Sequence, residues 1–134
     1  MELTVATDLV AIAAADGRFD PEGLAFVGES LRHQVERVAG NDPTLRRHLA
    51  AGELVEGVVD LAARRYGTLG DLVLAGWGLR QGSDIGAVTF LLIEHGVFSR
   101  QDEDRREDFD FLPAIGPTIA ARARVLATAS PIAS

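Results

Sequence analysis

The chain has 134 residues, 47% apolar and 25% charged, with 20 acidic and 13 basic residues and a formal net charge of −7. This length and balance predict one globular domain that buries roughly 68% of its unfolded surface, and they exclude disorder as the default state. The chain has no Cys, which excludes disulfides, zinc–thiolate centres, iron–sulfur clusters and thiol nucleophiles; all its basic residues are Arg, which excludes Schiff-base and pyridoxal-phosphate lysines and the lysine of a phosphate-binding loop.

Leu3 to Ala15 reads as a first helix stopped at Asp16-Gly17. Asp8 interrupts its apolar run and no basic region precedes it, so no secretory signal is expected. Asp20-Pro21-Glu22 is a strong helix start, with Asp as N-cap, Pro in the first position and Glu in the first turn. Leu24, Val27, Leu31, Val35 and Val38 then recur at helical spacing on one face, with Glu29–His33 and Arg32–Glu36 as surface pairs. A loop at Ala39 to Pro43 and a short turn over Thr44 to Ala51 precede a third helix, Glu53 to Tyr66. That helix carries Leu54, Val58, Leu61 and Ala62 on one side and stops at Gly67.

Thr68 is placed to cap the next helix, Leu69 to Gly76, which breaks at Gly76-Trp77-Gly78. Ser83 is the expected N-cap of a helix over Ile85 to His95, apolar nearly all round and therefore central to the core. Val97-Phe98-Ser99 reads as extended. Arg100 to Asp110 follows with six acids and three Arg, and no acid occurs from Phe111 onward. The expected fold is mainly α: a single-domain helical bundle over residues 1–112, winged-helix-like, with a short two-stranded ribbon around Val97 to Phe111. Residues 113–134 read as a C-terminal appendage, a helix over Thr118 to Ala129 with a frayed tail. The expected core holds Phe26, Leu31, Leu54, Val58, Leu61, Leu72, Trp77, Ile85, Val88, Leu92 and Phe98.

Three stretches stand in a familiar order: Phe26-Val27 with Leu31; Glu53-Leu54-Val55-Glu56-Gly57 through Leu61-Ala62 to Tyr66-Gly67; and Asp84-Ile85-Gly86 through Phe98-Ser99 to Asp108-Phe109. This order resembles an uncharacterised family of short bacterial proteins first catalogued in Planctomycetes and Verrucomicrobia. The resemblance covers about residues 20–111, and its most specific part is Glu94-His95-Gly96-Val97-Phe98-Ser99 with Arg106-Glu107-Asp108-Phe109. Ala50-Ala51-Gly52 departs from the Ser-Gly-Gln type of cap such proteins more often carry, and residues 113–134 have no counterpart. The resemblance implies fold boundaries and brings no catalytic residues.

Asp102, Glu103, Asp104, Glu107, Asp108 and Asp110 offer oxygen ligands, but Arg106 and Glu107 stand where a calcium loop needs an acid and Gly. Arg100, Arg105 and Arg106 neutralise them as a solvated face. His33, His48 and His95 have no ligand spacing and read as structural; Ser83 and Ser99 read as caps. Gly78 to Asp84, with Arg80, opens a helix as an anion-binding loop would, although Asp84 would repel a phosphate. No catalytic residue, metal ligand or cofactor is expected, and the balance leans away from an enzyme.

Two functions stay open. The first is a noncatalytic module that binds a protein partner or itself through Val97, Phe98, Phe109, Phe111 and Leu112, with the Arg-bearing tail docking on an acidic neighbour. The alternative is a winged-helix-like nucleic-acid or regulatory module using Arg46, Arg47, Arg64, Arg65 and Arg80. The acidic balance makes nucleic acid the weaker partner. No apolar stretch spans a bilayer, and the expected location is the cytoplasm.

Overall fold

The computed structural model describes residues 6–42, 44, 49–98, 106–110, 112 and 114–129. Among them are six α-helices: α1 (Ala6–Asp16), α2 (Pro21–Ala39), α3 (Ala51–Tyr66), α4 (Gly70–Gly76), α5 (Gly82–Glu94) and α6 (Ile115–Ala129). Short 3-10 turns cover Gly67–Leu69 and Arg106–Phe109. The mainly helical expectation holds. No described helix is long and apolar enough to cross a membrane.

Local chemistry sets the helix ends. The Asp20 carboxylate accepts the Glu22 N–H at 2.9 Å and Pro21 opens α2, as expected. α3 stops at Gly67, whose φ of 60° is a left-handed value open to glycine at little cost. Two expected caps are corrected. Thr68 lies inside a 3-10 turn that runs on into α4, leaving Leu69 in the cap position without a side-chain bond. Gln81, not Ser83, precedes α5, and Asp84 reaches back to accept the N–H groups of Arg80 at 2.9 Å and Gln81 at 3.1 Å.

α2 and α3 lie side by side, and their contact turns α2 away from the expected face. Leu24 and Val27 are buried, but Leu31, Val35 and Val38 are only partly covered, while Ser30 and Gln34 are buried instead. The cause is Gly57. A Cβ there would lie 2.6 Å from the Gln34 Cβ and 3.0 Å from the Ser30 carbonyl oxygen, so the missing side chain lets the two backbones approach. Ser30 satisfies its hydroxyl by donating to the Phe26 carbonyl at 2.7 Å.

α5 packs against α2, α3 and the turn at Arg106–Phe109, with Ile85, Val88 and Leu92 fully buried. Phe26, Tyr66 and Trp77 pack together with ring centroids 5.5–6.1 Å apart, Phe26 tilted against both and Tyr66 edge-on to Trp77. Leu72, expected inside, is 70% exposed; α4 has only seven residues and turns Leu74 inward instead.

The two-stranded ribbon and the winged-helix likeness find no support: no strand forms among the described residues, and residues 99–105 and 111 of the expected ribbon lie outside them. Gln81 and Ala114 make only an isolated antiparallel bridge. The N–H groups of Val97 and Phe98 both turn back to the Leu92 carbonyl, at 2.8 and 3.2 Å, and close the end of α5. Residues 106–109 coil, and Phe109 seals against Gly86, where a Cβ would lie 2.7 Å from the Phe109 Cβ. Backbone groups used in such turns are not available for a ladder.

The described part of the expected appendage belongs to the core. α6 lies along α3 and α4 and buries Ile115, Ile119 and Ala123. Gly70 makes room for Ile119, since a Cβ there would lie 2.7 Å from the Ile119 Cγ2. The Asp71 carboxylate lies against Gly116 in the first turn of α6, where negative charge complements the helix dipole.

Candidate functional site

Glu56, Asp60 and Arg64 follow one another at intervals of four along α3, and His33 and Arg37 do the same along α2. Such spacing stacks each set on one line of its helix. The close approach at Gly57 brings the two lines together, and α6 adds Arg122. At the centre is Asp60, whose side chain is 1% exposed.

One Asp60 oxygen, Oδ2, accepts from His33 Nε2 at 2.8 Å and from Arg64 Nε at 2.7 Å. Arg37 Nε stands 3.4 Å from that same atom. The other oxygen, Oδ1, accepts from Arg122 Nη1 at 2.7 Å. Arg122 Nη2 donates to Glu56 Oε1. Arg37 Nη1 donates to Gln34 Oε1 at 2.9 Å and lies 3.8 Å from Glu56 Oε1. An ionised carboxylate only accepts, so the His33 hydrogen sits on Nε2.

Burial pushes the Asp60 carboxyl up, but the hydrogen bonds from His33, Arg64 and Arg122 and the charge of Arg37 outweigh it. Together they hold its pKa at about 2, against an ordinary 3.8. The same contacts raise Arg122, first through Glu56 and then through Asp60. A carboxylate held this low stays ionised near neutral pH and is a weak proton acceptor there.

The shift is also a statement about stability. A folded-state pKa below the unfolded one contributes stability that is fully present above about pH 4 and is lost as pH falls through about 2. The expected size is about 2 kcal/mol. Urea unfolding of the wild type and of Asp60→Asn should show their stability difference shrinking by that amount over this window. A difference that stays constant with pH would contradict the assignment.

The structure redistributes the residues singled out in the sequence. Phe98 and Phe109 are buried at 8% and 4% exposure, Val97 and Leu112 are partly buried against the same core, and Phe111 lies outside the described residues. The proposed docking surface is therefore corrected, because its described members are core contacts. Arg64 faces Asp60, and Arg65 donates to Glu29 at 2.8 Å while its guanidinium lies 5.7 Å above the Phe26 ring centroid. Arg80 is exposed, and Arg46 and Arg47 lie outside the described residues. Of the described members of the expected basic face, Arg64 and Arg65 are each turned to a separate carboxylate.

Glu29 and His33 do not pair with each other along α2; each turns to α3. His95 is exposed at the end of α5, and His48 lies outside the described residues. Glu107, Asp108 and Asp110 are exposed, while Ser99, Arg100, Asp102, Glu103, Asp104 and Arg105 lie outside the described residues. Among the described residues, no group of His, Asp and Glu is arranged to hold a metal ion. The anion loop at Gly78 to Asp84 is filled from within, since Asp84 takes the two backbone donors.

Asp60 itself escaped the sequence reading. Its one local signal is an acid inside the apolar run Val58-Val59-Asp60-Leu61-Ala62, a place where a charge is expected to have partners.

Nothing matches the chain among family models, curated proteins or solved structures. Its functional reading rests on its own geometry.

Proposed function

We propose that the chain is a noncatalytic helical module that binds a protein partner or a second copy of itself through the apolar surface at Leu69 and Leu72. The observation that carries this reading is their exposure, 61% and 70%, at adjoining positions of the 3-10 turn and α4. Val73 and Trp77 follow Leu69 at helical spacing and are only partly buried, which extends the apolar strip toward the aromatic group. Covering a leucine side chain contributes about 1.5–3 kcal/mol, so two of them supply a useful share of a moderate affinity. The charged groups fit the same reading, because the Asp60 cluster ties α2, α3 and α6 together. Residues 20–111 belong, in this proposal, with the uncharacterised bacterial family they resemble, and the setting is cytoplasmic. The Arg-face alternative has little support, with Arg64 and Arg65 each facing a carboxylate in a chain of net charge −7.

The test is sedimentation velocity over a concentration series, together with affinity capture from the native lysate, on the wild type and on Leu69→Asp with Leu72→Asp. The double variant should keep its helical circular dichroism and lose self-association or its stoichiometric protein partner, with affinity down at least about tenfold. Unchanged association in a folded double variant would move the contact elsewhere, and a wild type that associates with nothing would overturn the reading.

A further inference from the structure

The Asp60 cluster holds more donors than its carboxylates use. Oδ2 of Asp60 is met by His33 Nε2 at 2.8 Å, Arg64 Nε at 2.7 Å and Arg37 Nε at 3.4 Å. Two lone pairs are filled by the first two, which leaves Arg37 at ion-pair distance. Sharing one oxygen sets two guanidinium groups side by side, both engaged there through Nε. Arg64 therefore keeps both Nη groups, and Arg37 its Nη2, without a hydrogen-bond partner among the described residues. These side chains are 51% and 36% exposed. Glu56 and Asp60 face Arg37, Arg64 and Arg122, so the cluster carries a positive excess even with His33 neutral.

We propose that the outer edges of Arg37 and Arg64 form a seat for a small oxyanion of the phosphate class. Adjacent guanidinium groups repel one another, and an anion bridging them relieves that repulsion while engaging donors that otherwise face solvent. A phosphoryl group offers three terminal oxygens and more than one negative charge, which suits three solvent-facing amino groups better than a second carboxylate. A single seat differs from a nucleic-acid face, which needs a run of phosphate contacts. The seat lies on α2 and α3 and does not depend on the Leu69–Leu72 surface.

The experiment is a titration of the full chain near neutral pH with inorganic phosphate and, separately, methyl phosphate. Ionic strength is held constant with sodium chloride, and the Nε–Hε resonances of Arg37 and Arg64 are followed by NMR. Saturable shifts with a Kd of about 1 mM are expected, in keeping with a few solvated charge-assisted bonds. Arg64→Gln and Arg37→Gln should each weaken binding about tenfold, and Arg80→Gln should leave it unchanged. Arg64→Lys retains the charge without the fork and serves as the folded comparison if the Gln variant fails to fold. Saturation by both ligands supports a seat that accepts esterified phosphate, and saturation by inorganic phosphate alone supports one for the free ion. Shifts that rise linearly without saturating, or equal saturation in folded Arg64 variants and the wild type, would overturn the proposal.

Discussion

Asp60→Ala is expected to destabilise the fold by about 3 kcal/mol, the lower end of the cost of breaking a buried ion pair. The variant leaves Arg122, Arg64, Arg37 and His33 converging on a space that no longer holds a countercharge. The cost stays near the lower limit because those partners are 26%, 51%, 36% and 23% exposed and can turn partly toward water. Equilibrium urea unfolding reads the loss as a lower midpoint with little change in slope. A double-mutant cycle with Arg122→Gln should return a coupling of about 1–3 kcal/mol, as for neighbours in one network. A loss below about 0.5 kcal/mol in Asp60→Ala, the range of an ordinary surface change, would mean that the cluster holds nothing together.

A chain ending at Leu112 is expected to lose cooperative folding. The deletion removes Ile115 and Ile119, at 2% and 0% exposure, and uncovers the sides of α3 and α4 that they protect. Each such side chain contributes about 1.5–3 kcal/mol, and Asp60 also loses the donor on Oδ1. The combined loss of at least about 5 kcal/mol rivals the whole stability of an ordinary domain, 5–15 kcal/mol. Thermal denaturation followed by circular dichroism should show a broad, non-cooperative transition. A sharp melt near the full-length temperature would restore the last helix to the status of an add-on.

What the sequence disclosed follows the range of each interaction. The start of α2 at Asp20-Pro21 and the stop of α3 at Gly67 are local chemistry and were readable. So were Ile85, Val88 and Leu92, because a helix apolar nearly all round must bury much of its surface. The α2 face was misread because periodicity counts apolar side chains, whereas the contact is set by what is missing at Gly57, which draws in Ser30 and Gln34. Leu72 went astray because a 3-10 turn changes the angular register entering a two-turn helix. The charged cluster joins residues 27 and 62 positions from Asp60, and no spacing rule within one helix reaches that far.

That last separation also orders events during synthesis. Asp60 is made 62 residues before the arginine that completes its coordination. At about 5–20 residues per second, the interval is roughly 3–12 s. Throughout it the nascent chain already carries His33 and Arg37 but lacks α6 and the Oδ1 donor. The side of α3 that α6 will cover stays wet until then, although α2 and α3 can already pack on each other at Gly57. Arrival of Arg122 lets the buried charge be sealed, which couples completion of the bundle to the emergence of its C-terminal helix.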